Sequence, residues 1–144
     1  MTKQPKRKER PGVDRYGRTT LHYAALEADV GQVEALLAEG LSPGAPDDDG
    51  STPLHFAVQS ASLRTCAALL KAGATVDARD ANGNTPLFRA VFDSRGNGEL
   101  IGLLREHGAD PVVKNNYGVS PVSLARSIAN FDVQQFFEDL PASA

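Results

Sequence analysis

The sequence predicts an all-α solenoid of four stacked helix–turn–helix units, and two observations predict it. The first is that the stretch Ser51-Thr52-Pro53-Leu54-His55-Phe56-Ala57-Val58 recurs. Shifted back by 33 residues, Asp14, Gly17, Thr19, Leu21, His22 and Ala24 stand where Asp47, Gly50, Thr52, Leu54, His55 and Ala57 stand. Shifted forward by 33, the same positions read Asp80, Gly83, Thr85, Pro86, Leu87 and Ala90, and a fourth copy starts at Asn115 with Gly118, Ser120, Pro121, Val122 and Ala125. The second is that the other half of each unit repeats too, as Leu36-Leu37 with Gly40, Leu69-Leu70 with Gly73, and Leu103-Leu104 with Gly108. A unit of this length cannot bury its apolar face alone, so neighbouring units must stack.

Each unit starts a helix with its chemistry in order. Thr52 is placed to be the N-cap, and Pro53 falls at the first helical position, where its missing N–H costs nothing. Asp49-Gly50 upstream supplies the turn. Repeat one, residues 14–46, is expected to carry helices near 20–27 and 30–38. Leu21, Ala24 and Ala25 share one face of the first, and Val33, Leu36 and Leu37 one face of the second. Gly40 stands where a left-handed C-cap is wanted. Repeat two, residues 47–79, holds the fullest apolar set, Leu54, Ala57, Val58, Leu63, Cys66, Leu69 and Leu70, and is expected to be the stability centre.

Repeat three, residues 80–114, is two residues longer, since Gly73 to Gly108 spans 35 positions. The excess falls in Phe92–Gly98, where two glycines and an asparagine favour turns. That loop reads equally as a functional feature and as a tolerated insertion. Repeat four, residues 115–140, has a weaker motif. Its second helix is expected to show Gln134, Gln135, Glu138 and Asp139 to solvent and Phe131, Val133, Phe136 and Phe137 to the core, as a terminal capping repeat requires. Residues 141–144 are read as a tail that does not continue the helix.

A period of about 33 with a Thr-Pro-Leu-His core resembles the ankyrin repeat, a β-turn plus two helices. The resemblance runs from about Asp14 to Leu140. The departures are Thr20 for proline, Ala28 for the usual glycine between helices, Leu41 for alanine, Phe88 for histidine, and Ser42-Pro43-Gly44-Ala45-Pro46 in place of the usual extended run. It implies a fold of β-turn fingers and helix pairs that binds proteins. It also implies that the motif histidines, His22 and His55, hydrogen-bond across neighbouring turns.

Composition bounds the function classes. At 144 residues with 41% apolar and 23% charged, the chain is long enough to bury one core. One cysteine, Cys66, excludes an intrachain disulfide and gives no argument for an oxidising compartment. No apolar run is long enough to span a bilayer, and no apolar segment follows the basic start as a secretory signal would. A cytoplasmic monomer is the simplest expectation. Five cations against Glu9 give residues 1–10 a net charge of +4, which leaves −7 for the rest of a chain whose total is −3. Residues 1–13 therefore read as a basic disordered arm. Such an arm is either a solvated tail or an electrostatic tether to nucleic acid, anionic lipid or an acidic protein.

No residue set argues for an enzyme or a cofactor. The three histidines lack the converging ligands of a metal site. Cys66 sits on an apolar helix face, where burial makes a thiol inert. Thr19, Thr52, Thr85 and Ser120 are occupied as helix caps, and Asn82-Gly83-Asn84 lacks the spacing of a phosphate loop.

What remains is a surface. The resemblance implies that finger tips and first helices share a concave face that binds partners. Carried over by position, the tips are Arg15, Tyr16 and Arg18; Asp48, Asp49 and Ser51; Ala81, Asn82 and Asn84; Asn116, Tyr117 and Val119. The first-helix positions beside them are Leu26 and Glu27, Gln59 and Ser60, Phe92 and Asp93, Ser127 and Ile128. Aromatics and arginine dominate interface energetics, and central aspartates would orient a charged partner. The expected function is non-catalytic recognition of one protein partner, in the form of an inhibitor or immunity protein that blocks a cognate enzyme or toxin. The alternatives are a regulatory scaffold or adaptor, and nucleic-acid association through the arm, against which the acidic body argues.

Overall fold

Four Asp/Asn-initiated turns, at Asp14, Asp47, Asp80 and Asn115, set the phase of the structure. The computed structural model describes residues 10–144. Asp14 Oδ1 accepts from the backbone N–H of Tyr16 at 2.9 Å and of Arg18 at 3.0 Å. Asp47, Asp80 and Asn115 accept from the residues two and four positions on in the same way. Each turn is closed by a glycine in the left-handed region, at φ between 74° and 77°. Glycine is needed there twice over: a Cβ on Gly83 would also crowd the backbone nitrogen of Asn116 at 2.9 Å.

The turns project as fingers joined edge to edge. The Asp48 N–H donates to the Tyr16 carbonyl (2.9 Å), that of Ala81 to Asp49 (2.7 Å), and that of Asn116 to Asn82 (2.9 Å). Behind each finger a helix pair follows: α1 (Thr20–Leu26) and α2 (Val30–Ala38), α3 (Pro53–Gln59) and α4 (Leu63–Lys71), α5 (Pro86–Phe92) and α6 (Glu99–Glu106), then α7 (Pro121–Ser127). The first helices pack in a row, α1 on α3 on α5 on α7, and the second helices in another, α2 on α4 on α6. No strand occurs among the described residues. The fold is an all-α solenoid.

The core lies between these two layers. Leu21, Leu54, Leu87 and Val122, one per repeat, are fully buried, as are Val33, Cys66, Leu69, Ile101 and Leu104 from the second layer. Burying each large side chain is worth about 1.5–3 kcal/mol. Short helices of seven to nine residues would not hold alone, so this packing supplies their stability. Burial also pushes the Cys66 thiol up to about 12.

His22 and His55 join repeat to repeat. In repeat two the N–H of Thr52 donates to His55 Nδ1 (3.1 Å), and His55 Nε2 meets the Asn84 carbonyl of the next finger at 3.0 Å. His22 does the same between the Thr19 N–H and the Ser51 carbonyl. A backbone N–H on one side and a carbonyl on the other leave one arrangement, the neutral ring with its proton on Nε2. Burial pushes both histidines below their ordinary value. Repeat three has Phe88 here, which can make neither bond.

Three sequence expectations change, and the loop and the left-handed alanines gain a physical account. Residues 1–9 of the expected arm lie outside the described residues, but 10–13 form a turn, and Arg10 makes a two-pronged pair with Asp48 at 2.8 and 2.9 Å. The second helix of repeat four is a single 3-10 turn, Gln134–Phe137, rather than an α-helix. Val133 and Phe137 are buried as expected, yet Phe131 is exposed. Its ring lies against Gly96, 3.3 Å from where a Cβ would stand, while Phe136 fills the space a Cβ on Gly98 would need. The glycines of the 92–98 loop thus serve as clearance for the capping segment. Arg105 holds that segment through Asp139 and the Phe136 carbonyl and lies over the Phe137 ring. Arg126 donates to the carbonyls of Pro141, Ala142 and Ala144. Finally, Ala28 and Ala61 keep the left-handed backbone of the usual glycine, at φ 56° and 57°, a conformation that costs alanine about 1–2 kcal/mol.

Candidate protein-interaction face

Fingers and first helices share one face, and the residues on it divide into two regions. At repeats one and two the groups are tied to one another. Arg18 Nε donates to the buried carboxylate of Asp47 at 3.2 Å, and its guanidinium lies 5.0 Å from the Tyr16 and Phe56 rings and 5.9 Å from that of Tyr23. Arg15 also lies over the Tyr16 ring, at 4.7 Å, and donates to its hydroxyl. The Tyr23 hydroxyl donates to Asp14 and holds that carboxyl below its ordinary range. Asp48 carries the Arg10 pair. Arg18, expected as an exposed contact, is instead half-buried at the joint between finger one and α3.

Other expected residues also prove to have internal partners. The Ser51 carbonyl receives His22 and the Asn84 carbonyl receives His55, while Asn84 Oδ1 accepts from Asn115 Nδ2 at 2.9 Å. The Ser60 hydroxyl is 3.0 Å from the Ala25 carbonyl and 2.9 Å from that of Ala57, which staples α3 to α1. Leu26 and Ile128 pack partly into the core. Glu27 caps α1 and is exposed. Asn116 Nδ2 donates to the Ala81 carbonyl at 2.8 Å.

At repeats three and four the face is open. Phe92 is 64% and Tyr117 76% exposed, the largest values among the exposed large apolar side chains of the described residues. Asn82, Asn84 and Phe92 line a shallow pocket of about 190 Å³ with Phe88 and Arg89. Gln59 and Asp93 line a different cleft, of about 100 Å³, with Val58, Ala90, Asn97 and Leu100 toward the helix–helix turns. Asp49 is exposed at the tip of finger two.

Phe88 and Arg89 were not among the residues expected on the face, although a signal for them exists. At the register of Arg89 the other repeats carry Tyr23, Phe56 and Leu124, so the charge stands out one period at a time. Arg89 approaches Asp93 only at 4.0 Å, too far for a hydrogen bond.

A solenoid of finger-linked helix pairs with open tip side chains defines a repeat module built for binding. The chain belongs to the ankyrin-repeat family: the family profile described as ankyrin repeats (3 copies) matches residues 21–115. The finger at Asn115 and helix α7 continue the same geometry beyond that match. No curated protein matches the chain significantly. Ankyrin repeats are protein–protein interaction modules. Among the described residues, no group of three or more His, Cys, Asp or Glu side chains is placed to hold a metal ion, and no helix is long and apolar enough to cross a membrane.

Proposed function

We propose that this chain recognises one protein partner on the concave face formed by its fingers and first helices, and that it acts by occupying that partner. The observation that carries this reading is the exposure of Phe92 and Tyr117, two large rings that the fold does not need. Aromatic anchors of this kind dominate interface energies. Asp49 at the tip of finger two adds a charge that orients a partner. Binding without catalysis suits an inhibitor or immunity protein that blocks a cognate enzyme or toxin, acting in the cytoplasm as a monomer.

The test is capture from the source lysate by the wild-type chain and by a Tyr16→Ala/Tyr117→Ala/Asp49→Lys variant, after both give the same melting profile. One stoichiometric partner held by the wild type and lost by the variant is expected. Adding the chain to that partner should then abolish its activity at a one-to-one ratio. A partner held equally by both proteins would move the site off this face. One that keeps full activity when bound would remove the inhibitor reading.

A further inference from the structure

The pocket at repeat three is built unevenly, and its asymmetry points to a ligand chemistry. Phe88 and Phe92 from α5 supply its apolar lining, and Asn82 and Asn84 from finger three its carboxamides. Arg89 lines it as well, and no carboxylate among the described residues hydrogen-bonds to it, since Asp93 reaches it only at 4.0 Å. Other guanidiniums of this face are committed, Arg10 to Asp48 and Arg18 to Asp47. Finger two carries its carboxylates at Asp48 and Asp49, whereas the tips of fingers three and four carry Ala81, Asn82, Asn116 and Tyr117 and no acid.

Resting on the concave-face reading, we propose that this pocket receives a side-chain carboxylate of the protein partner, flanked in the partner's sequence by an aromatic or aliphatic residue. The guanidinium of Arg89 pairs with the carboxylate. The Asn82 carboxamide donates beside it, and the apolar neighbour lies on Phe88 and Phe92. The charges of finger two then meet a different, basic part of the partner, which sets its direction along the face.

The experiment uses the full chain labelled with ¹⁵N, titrated with acetyl-Phe-Asp-amide, with its neutral isostere acetyl-Phe-Asn-amide, and with inorganic phosphate. The expected result is saturable shifts at Asn82, Asn84, Arg89 and Phe92, with the acid binding about three- to fivefold more tightly than the amide, the size of an exposed ion pair. Arg89→Gln should erase that preference while leaving the amide's affinity unchanged. Phe92→Ala should weaken both peptides alike. Equal affinity for acid and amide, shifts confined to other residues, or phosphate binding more tightly than the peptide would each overturn the assignment. The titration needs no natural partner, so it separates from the capture experiment. A partner lost by the finger variant but indifferent to Arg89→Gln would sink the pocket and leave the face standing.

Discussion

The two ends of this solenoid solve the same joint differently. Between repeats one, two and three, a neutral histidine bonds to its own N-cap N–H and to the next finger's carbonyl. Between repeats three and four, Phe88 replaces the ring, and the work passes to two side-chain amides and a guanidinium: Asn115 to Asn84, Asn116 to Ala81, and Arg79 to the Lys114 carbonyl at 2.8 Å. The first joint is buried and self-satisfied, and its surface residues Arg15, Tyr16 and Arg18 stack on one another. The second is solvent-facing, and its surface leaves Phe92 and Tyr117 free of the fold. Tied side chains and open ones thus sit at opposite ends of the solenoid.

The sharpest way to break this division is Leu54→Asp. Leu54 is fully buried in the latched half, and an unpaired charge there has no partner. Loss of the cooperative thermal transition is expected, and a melt matching the wild type would refute the account. Next in size is His55→Ala, which strands the Thr52 N–H and the Asn84 carbonyl and should cost about 3 kcal/mol in denaturant titration. Phe88→Ala at the open joint, which removes only partly buried surface, should cost about 1 kcal/mol. Equal costs would mean that the histidine bonds add nothing beyond what a partly buried ring supplies at the same register.

Acid sharpens the same contrast. Both histidines are held below their ordinary 6.5, chiefly by burial. The unfolded chain therefore takes up protons first as pH falls. Their contribution to stability is fully present above about 6.5 and is lost as pH drops below it toward the folded values. Asp47 favours and Arg18 opposes the charged form of His22; around His55, Asp80 and Asp47 favour it and Arg89 opposes it. Hydrogen exchange below pH 6.5 should show protection falling in α1 and α3 before α5 and α7, and a uniform fall would contradict the assignment. The smallest effect is expected from Ala61→Gly, which relieves the left-handed alanine against glycine's greater chain entropy and should raise stability by about 0.5 kcal/mol.

The fold was largely legible because it is written four times. Period, caps, finger glycines and the layer of leucines each recur in phase, so local ambiguity at one copy is resolved by the others. Individual roles on the face were less legible. Arg18 reads as a tip cation until folding brings Tyr23 and Phe56 beside it, and Phe56 is 38 positions away in sequence. Gly96 and Gly98 read as slack in a loop until Phe131 and Phe136, from the one repeat whose pattern decays, are seen to cover them. The single 3-10 turn of repeat four escaped for the same reason: this segment lacks the Leu-Leu and glycine signature of the other three second helices, so its Phe136-Phe137 pair fits a helix and a tight turn equally well.

The finger ladder carries a consequence for how such a chain changes over time. Its cross-links run from backbone N–H to backbone carbonyl, so the ladder is blind to which side chains stand at the tips. Tip side chains without a cross-finger bond of their own, Asn82 and Tyr117, can change without loosening the scaffold, whereas Asn116, which bonds to the Ala81 carbonyl, cannot. Arg15, Tyr16 and Arg18, bound up with one another and with finger two, have no such licence. Under the proposed concave-face reading, changes of specificity should fall on the open side chains of the third and fourth fingers, with the first two kept as ballast.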